Sequence, residues 1–168
     1  MVDDAAGWVR YALAVTLLVA AGAKARDLGP FIGSLRSYGL GGPPATAAAA
    51  MIIVVEVAAS AVSFAATSDV VAGMLCAVLG LFFTAAQTYL LATGQRVSCL
   101  CFGARSADHV SPRTWGRAVV VLLSGLFVAF AGSPTRAAEA VTIAGGVLLF
   151  AAVAIADRSL RARRRQPV

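Results

Sequence analysis

Long apolar stretches separated by short polar segments run the length of this chain, and five of them approach the length of a membrane-spanning helix. A helix needs about 20 apolar residues to cross the hydrocarbon core of a bilayer. The five stretches cover residues 8–23, 45–66, 70–92, 115–131 and 138–156. None of them alternates between apolar and polar residues as barrel strands do. The pattern predicts an all-α membrane protein, a bundle of five transmembrane helices.

The composition agrees with a membrane location and excludes a soluble domain. Of the 168 residues, 60% are hydrophobic and 13% are charged, and the mean hydropathy is +0.84. Such a chain has too little polar surface to face water on all sides. We expect a single transmembrane domain over residues 1–157 and a basic cytoplasmic tail over residues 158–168.

The basic residues indicate orientation and contact with lipid. The formal net charge is +6, and the arginines cluster at the ends of apolar stretches and in the tail. Arginines in these places are typical of orientation signals and of contacts with anionic headgroups. They predict membrane lipid as a partner, and no nucleic acid. Thirteen of the fourteen basic residues are arginine, in a chain rich in alanine, glycine and valine, which favours a bacterial cytoplasmic (inner) membrane.

Counting basic residues on either side of five spans predicts the topology. With the C-terminus in the cytoplasm, twelve of the fourteen fall on the cytoplasmic side, and only Arg10 and Arg136 fall outside. Because cytoplasmic segments carry the excess of lysine and arginine, the N-terminus is predicted outside. The first stretch follows Asp3 and Asp4 rather than a positive start, so we expect a retained span and not a cleaved signal.

A short amphipathic helix is predicted between the first two spans. Phe31, Leu35 and Tyr38 recur at helical spacing, which favours a helix lying in the membrane interface. The glycines that follow, together with Pro43 and Pro44, should end this helix and start the second span.

The chemistry-bearing motif is a cysteine pair, Cys99 and Cys101, followed by Phe102 and Gly103. The pair can close a strained disulfide, and strained disulfides are the labile, catalytic or regulatory kind. It can equally offer two thiolates to a soft metal ion. No histidine or methionine cluster supports it, so we predict no metal site and keep a soft-metal carrier as an alternative.

Four polar residues near the spans form a predicted supporting cluster. Glu56 lies near the middle of the second span, where a carboxylate is costly and indicates a functional site by default, the alternative being a structural carboxyl that is protonated or paired with a cation. Lys24 is its expected partner. Gln87 in the third span and Arg117 at the start of the fourth belong to the same half of the bilayer under the predicted topology. The third cysteine, Cys76, is expected to serve packing.

Lys24, the Phe31/Leu35/Tyr38 pattern, the proline before span two, Glu56 and the Cys-x-Cys-Phe-Gly motif together resemble the MauE family. These are DoxX-like integral membrane proteins named for methylamine utilisation. The resemblance runs from about Lys24 to Arg117 and implies a DoxX-like core of four helices, to which the fifth span is added. Leu100 stands between the cysteines, where the family typically has glycine.

The resemblance implies thiol–disulfide chemistry at the membrane, in support of a partner's maturation. The expected partner is a thioredoxin-like protein or another subunit of a membrane complex. That partner is expected outside the cytoplasm, whereas the arginine count places Cys99 and Cys101 inside. From the implied thiol–disulfide chemistry we predict a thiol–disulfide oxidoreductase with Cys99 and Cys101 as its reactive pair. A quinone or other small redox carrier is the candidate cofactor. The other alternative is a non-catalytic subunit that docks or stabilises a larger complex.

Overall fold

Helices account for nearly all of the structure, a computed structural model that describes residues 2–65, 68–94, 110–131 and 139–164. The described residues form six α-helices and one 3₁₀ turn, and they contain no strand. The helices are α1 (Val2–Arg26), α2 (Leu28–Leu35), α3 (Pro43–Ala65), α4 (Asp69–Ala92), α5 (Pro112–Phe130) and α6 (Glu139–Arg164), with the 3₁₀ turn Arg36–Tyr38 between α2 and α3.

Four of these helices are long and apolar enough to cross a membrane. Their spanning segments are Ala5–Arg26, Pro43–Ala65, Asp69–Ala92 and Pro112–Phe130. Large apolar side chains such as Met51, Val54, Val78 and Leu81 are exposed on their outer faces, as expected where a helix meets lipid. The chain is an all-α, multi-pass membrane protein.

The predicted count of five spans is not confirmed. α6 has 26 residues, but its apolar stretch within the described residues is the shorter segment Thr142–Ala152. α6 also continues to Arg164, so the first residues of the predicted basic tail are helical. A fifth crossing by α6 stays a prediction.

The start of α5 shows how local chemistry moves a helix boundary away from the apolar pattern. The hydrophobic stretch predicted a start at Trp115, but the helix begins at Pro112. Ser111 and Thr114 form a reciprocal capping box, in which the backbone N–H of Ser111 donates to Thr114 Oγ1 at 2.9 Å. Capping satisfies N–H groups that the first turn leaves without partners, and proline is well suited to the first helical position.

α1 is the central helix of the bundle. It packs against α3, α5 and α6 and also contacts α2 and α4. The contact with α6 is close because Gly145 and Gly146 lie against Trp8 and Tyr11 of α1. A Cβ atom at Gly146 would come within 3 Å of Tyr11 Cβ and of the Trp8 backbone oxygen, so this position requires a residue without a side chain. A Cβ atom at Gly145 would meet only the ring of Trp8.

α4 and α5 form the most extensive helix pair, and three glycines permit their close approach. A Cβ atom at Gly73 would lie 2.7 Å from Gly125 O, and one at Gly125 would lie 2.9 Å from Ala77 Cα. Gly80 packs in the same way against the backbone of Leu122. Small residues at helix contacts are the usual means of tight packing in membranes, where lipid removes the hydrophobic drive between helices.

The short helix predicted between the first two spans is present as α2, and it packs against the start of α3. Phe31 and Leu35 are buried in a cluster with Ala45 and Ala49 of α3. Gly39, with φ +78°, ends the 3₁₀ turn in a left-handed conformation that glycine adopts without strain. The spacing of Phe31 and Leu35 therefore identified the buried face of this helix.

A ring contact and a hydrogen bond define one end of the bundle, which we call the α4–α5 end because α4 ends and α5 begins there. Tyr38 stacks on Tyr89 in the last turns of α4, with ring centroids 6.3 Å apart. Trp115 in the first turn of α5 donates to Thr88 Oγ1 at 2.9 Å. The C-terminus of α1, helix α2 and the start of α3 lie at this same end. The opposite end, where α3 ends and α4 begins, is the α3–α4 end.

Candidate functional site

A buried ion pair joins α1 to α3 inside the bundle. Lys24 Nζ donates to Glu56 Oε1 at 2.6 Å, and the two side chains are 1% and 0% exposed. Lys24 lies two residues before the end of α1, and Glu56 lies near the middle of α3. The lysine side chain therefore points from the α4–α5 end into the bundle.

Two aromatic rings enclose the ammonium group. Lys24 Nζ lies 5.8 Å from the ring centroid of Phe31 in α2 and 5.5 Å from that of Phe83 in α4. A cation near the face of an aromatic ring gains electrostatic stabilisation, and more of it when water is excluded. Charged groups at such depth are costly unless they are paired, so Lys24, Glu56 and their ring neighbours act as one unit.

A small cavity borders this pair at the meeting point of four helices. It is lined by Thr16 and Leu17 of α1, Glu56 of α3, Phe83 and Gln87 of α4, and Ala118 of α5. The space open to the centre of a water molecule is about 20 Å³. Glu56 is 0% exposed and Gln87 is 2% exposed, so these two polar side chains of the lining are withdrawn from the protein surface, whereas Thr16 is partly buried.

The structure thus brings together three of the four members of the predicted polar cluster, Lys24, Glu56 and Gln87. Arg117 is half-buried in α5 beside Ala118, and it is not among the residues that line the cavity. The residues of the predicted cysteine motif, Cys99, Cys101, Phe102 and Gly103, lie outside the described residues. In sequence, the motif lies between the end of α4 and the start of α5.

The described residues hold no group of three or more histidine, cysteine or acidic side chains that would suit a metal ion. Cys99 and Cys101 are not among those residues. A soft-metal carrier therefore stays an untested alternative.

A comparison with protein-family models identifies the family of the chain. Residues 3–132 match the family model described as methylamine utilisation protein MauE. The chain belongs to the MauE family. The match is longer than the region that carried the resemblance in sequence, and it covers α1 to α5 with all four candidate spans, leaving α6 outside. No significant match was found among the curated proteins or among the solved structures.

The MauE-family region contains a second buried ion pair that the sequence pattern did not reveal. At the α3–α4 end, Arg10 Nη1 donates to Asp69 Oδ1 at 2.6 Å and Arg10 Nε donates to Ser63 O at 2.7 Å. Arg10 is 5% exposed and Asp69 is 3% exposed. The guanidinium group thereby fastens α1 to the last turn of α3 and the first residue of α4.

The charge count assigned Arg10 to the outer side, although the residue stands inside the predicted apolar stretch 8–23. The residue lies within the candidate span Ala5–Arg26 and is buried. A charged residue inside an apolar stretch is itself the signal for a buried partner, and that signal was available in the sequence. Asp69 was harder to identify because it stands at the boundary of its apolar stretch.

Cys76 occupies the packing role predicted for it. It is a free thiol, 1% exposed, within the core cluster that includes Leu13, Leu17 and Val128. Its sulfur lies 3.7 Å from Ser63 Oγ, which donates to Ala59 O. In this MauE-family chain Cys76 is thus at the α3–α4 end, away from the segment that carries the cysteine pair.

Proposed function

We propose that this chain is a membrane-embedded thiol–disulfide exchange protein, in which Cys99 and Cys101 pass reducing or oxidising equivalents to a partner during its maturation. The observation that supports this most directly is the buried unit of Lys24, Glu56 and Gln87. Lys24 and Gln87 lie in the parts of α1 and α4 nearer the α4–α5 end, where α4 ends and α5 begins on either side of the sequence that contains both cysteines. A buried, paired carboxylate at membrane depth is typical of a functional site.

The chemistry needs only the two sulfur atoms and the partner's sulfurs. In the reducing direction, a thiolate from the pair attacks a partner disulfide, forming a mixed disulfide and releasing a partner thiolate. The second cysteine then attacks the mixed disulfide, so that a Cys99–Cys101 disulfide forms and the partner leaves as a dithiol. The oxidising direction is the reverse. Arg96 and Arg105 flank the pair in sequence, and cationic surroundings favour the thiolate that attacks.

We propose that the buried residues Lys24, Glu56 and Gln87 support this exchange by holding the helices next to the cysteine segment together. The Lys24–Glu56 pair holds α1 against α3, and Gln87 is five residues before the end of α4. A thioredoxin-like protein or another membrane subunit is the partner we propose, and a quinone or other small redox carrier is the candidate electron carrier. We place the single transmembrane domain over residues 1–157 and the cytoplasmic tail over residues 158–168.

Serine substitution with a redox titration tests the exchange. Replacement of either Cys99 or Cys101 by serine should abolish exchange, because one cysteine must attack the partner and the other must resolve the mixed disulfide. Thiol labelling of the wild-type protein across a series of redox buffers should show a couple with a potential above about −300 mV, the range of accessible disulfides. The Cys76→Ser variant is the matched control and should titrate like the wild type.

Three outcomes of the titration separate the rival functions. A disulfide that is still oxidised in buffers more reducing than about −300 mV indicates a structural disulfide and a non-catalytic subunit. A pair that labels freely but is protected by copper(I) indicates a soft-metal carrier. If the double serine variant still supports maturation of the partner, the exchange mechanism is wrong.

We also propose that the N-terminus lies outside the cell and that the cysteine segment and the C-terminus face the cytoplasm. Arg10 and Lys24 are buried, and with α6 as the proposed fifth crossing the remaining basic residues fall on the cytoplasmic side except Arg136. A variant with Cys99 as the only cysteine should react with a membrane-impermeant thiol reagent in lysed cells and not in intact ones. Modification in intact cells would reverse the proposed orientation.

A further inference from the structure

Two deeply buried oxygen atoms near the ion pair have no hydrogen-bond partner among the described residues. They are Glu56 Oε2, the carboxylate oxygen to which Lys24 does not donate, and Gln87 Oε1, the side-chain amide oxygen. Leaving such an acceptor unsatisfied costs about 1–3 kcal/mol, and more for a charged group. Native structures seldom carry that cost without a ligand or an ordered water.

Both side chains line the same cavity, where α3 and α4 meet α1 and α5. The 20 Å³ open to the centre of a water molecule exceeds the roughly 10–15 Å³ that a single water requires. The rest of the lining is mostly apolar, with Leu17, Phe83 and Ala118 among its residues. An occupant must therefore be small and must direct its donors to two acceptors on neighbouring helices.

We propose that this cavity is a binding site for one water molecule, which donates one hydrogen bond to Glu56 Oε2 and the other to Gln87 Oε1. A water molecule has two donors and so matches the two acceptors. It also accepts hydrogen bonds, so it suits the site if the Gln87 amide turns to present its NH₂ group.

A cation fits this site less well. The Glu56 carboxylate already has the Lys24 ammonium as its counter-ion at 2.6 Å. Glu56 is the only charged residue in the lining and is already paired with Lys24, so a second positive charge would have no further counter-charge there, and a buried unpaired charge is strongly unfavourable. A neutral molecule leaves the charge balance of the pair unchanged.

The water links the ion pair to α4. Lys24 connects α1 to Glu56 on α3, and the water extends this connection to Gln87, in the part of α4 that leads to the cysteine segment. The site does not depend on the proposed thiol exchange, because it follows from the two acceptors and the cavity alone.

An experimental structure of the full chain in lipid nanodiscs, at a resolution that shows ordered waters, tests the site directly. We expect a single peak within about 2.5–3.2 Å of both Glu56 Oε2 and Gln87 Oε1. A cavity without density would overturn the proposal. Density that extends beyond one oxygen-sized peak would also overturn it, and would assign the cavity to the hydroxyl end of a larger molecule.

A double-mutant cycle supplies an independent test in detergent solution. Ala118→Val should displace the water and lower the melting temperature of the wild-type protein. In a Gln87→Met background the same change should lower it less, because one of the two acceptors is already gone. Ala129→Val, at a buried α5 position outside the cavity lining, is the control and should cost the same in both backgrounds. An equal loss for Ala118→Val in both backgrounds would mean simple overpacking and would overturn the proposal.

Discussion

Replacing Lys24 by methionine should lower the free energy of unfolding by about 3–5 kcal/mol. Methionine keeps most of the length of the side chain but leaves the Glu56 carboxylate, 0% exposed, without its cation. Removing one partner of a buried pair is far more damaging than removing both, because the remaining charge stays desolvated. Reversible unfolding of the purified protein in mixed micelles would measure the change.

Two further variants separate the ion pair from the bulk of the side chain. The double variant Lys24→Met/Glu56→Gln should recover much of the loss, since it removes both charges and keeps the shape of the site. Arg26→Met, two residues further along α1 and exposed, is the matched control and should change stability by less than about 0.5 kcal/mol. A double variant as unstable as Lys24→Met would show that the charge of Glu56 is not the cause.

At the other end of the bundle, Arg10→Met should also lower the free energy of unfolding by about 3–5 kcal/mol. The guanidinium group loses its ion pair with Asp69 and its hydrogen bond to Ser63 O at the same time. The contact that holds the end of α3 and the start of α4 to α1 is lost with them. Thermal unfolding in detergent, followed by circular dichroism, would measure the effect.

Arg10→Lys should lose part of this stability and not all of it. Lysine retains the positive charge opposite Asp69, but its single ammonium cannot reproduce the planar fork that reaches two acceptors. Arg113→Met, at an exposed position of α5, is the control for loss of an arginine and should be nearly neutral. If Arg10→Lys is as damaging as Arg10→Met, the geometry of the fork matters more than the charge.

The fold class was predictable from the sequence because the bilayer allows few backbone structures. In a bilayer the backbone must satisfy its own hydrogen bonds, so a long apolar stretch is read directly as a helix. The stretches 45–66 and 70–92 fall within two residues of the ends of α3 and α4. The family assignment was also within reach, because Lys24, Glu56 and the cysteine motif occur in a recognisable order along the chain, and the family model matches residues 3–132.

Helix ends were harder to predict, since hydropathy does not register the hydrogen bonds that start a helix. The capping box at Ser111 and Thr114 extends α5 by three residues beyond its apolar stretch. The partner of Arg10 was not predictable from hydropathy either. The burial of Arg10 is acceptable only because folding brings Asp69 to it from a distant part of the chain.

By itself, the sequence determined the class of the protein, its family, the apolar segments and the need for Glu56 to have a cation. Each of these depends on residue type and on spacing along the chain. Tertiary structure alone decided that Arg10 pairs with Asp69, that Gln87 and Glu56 share a cavity, and that glycines bring α4 against α5. These features join residues that are far apart in the chain, and helix packing sets the distance and direction between their side chains.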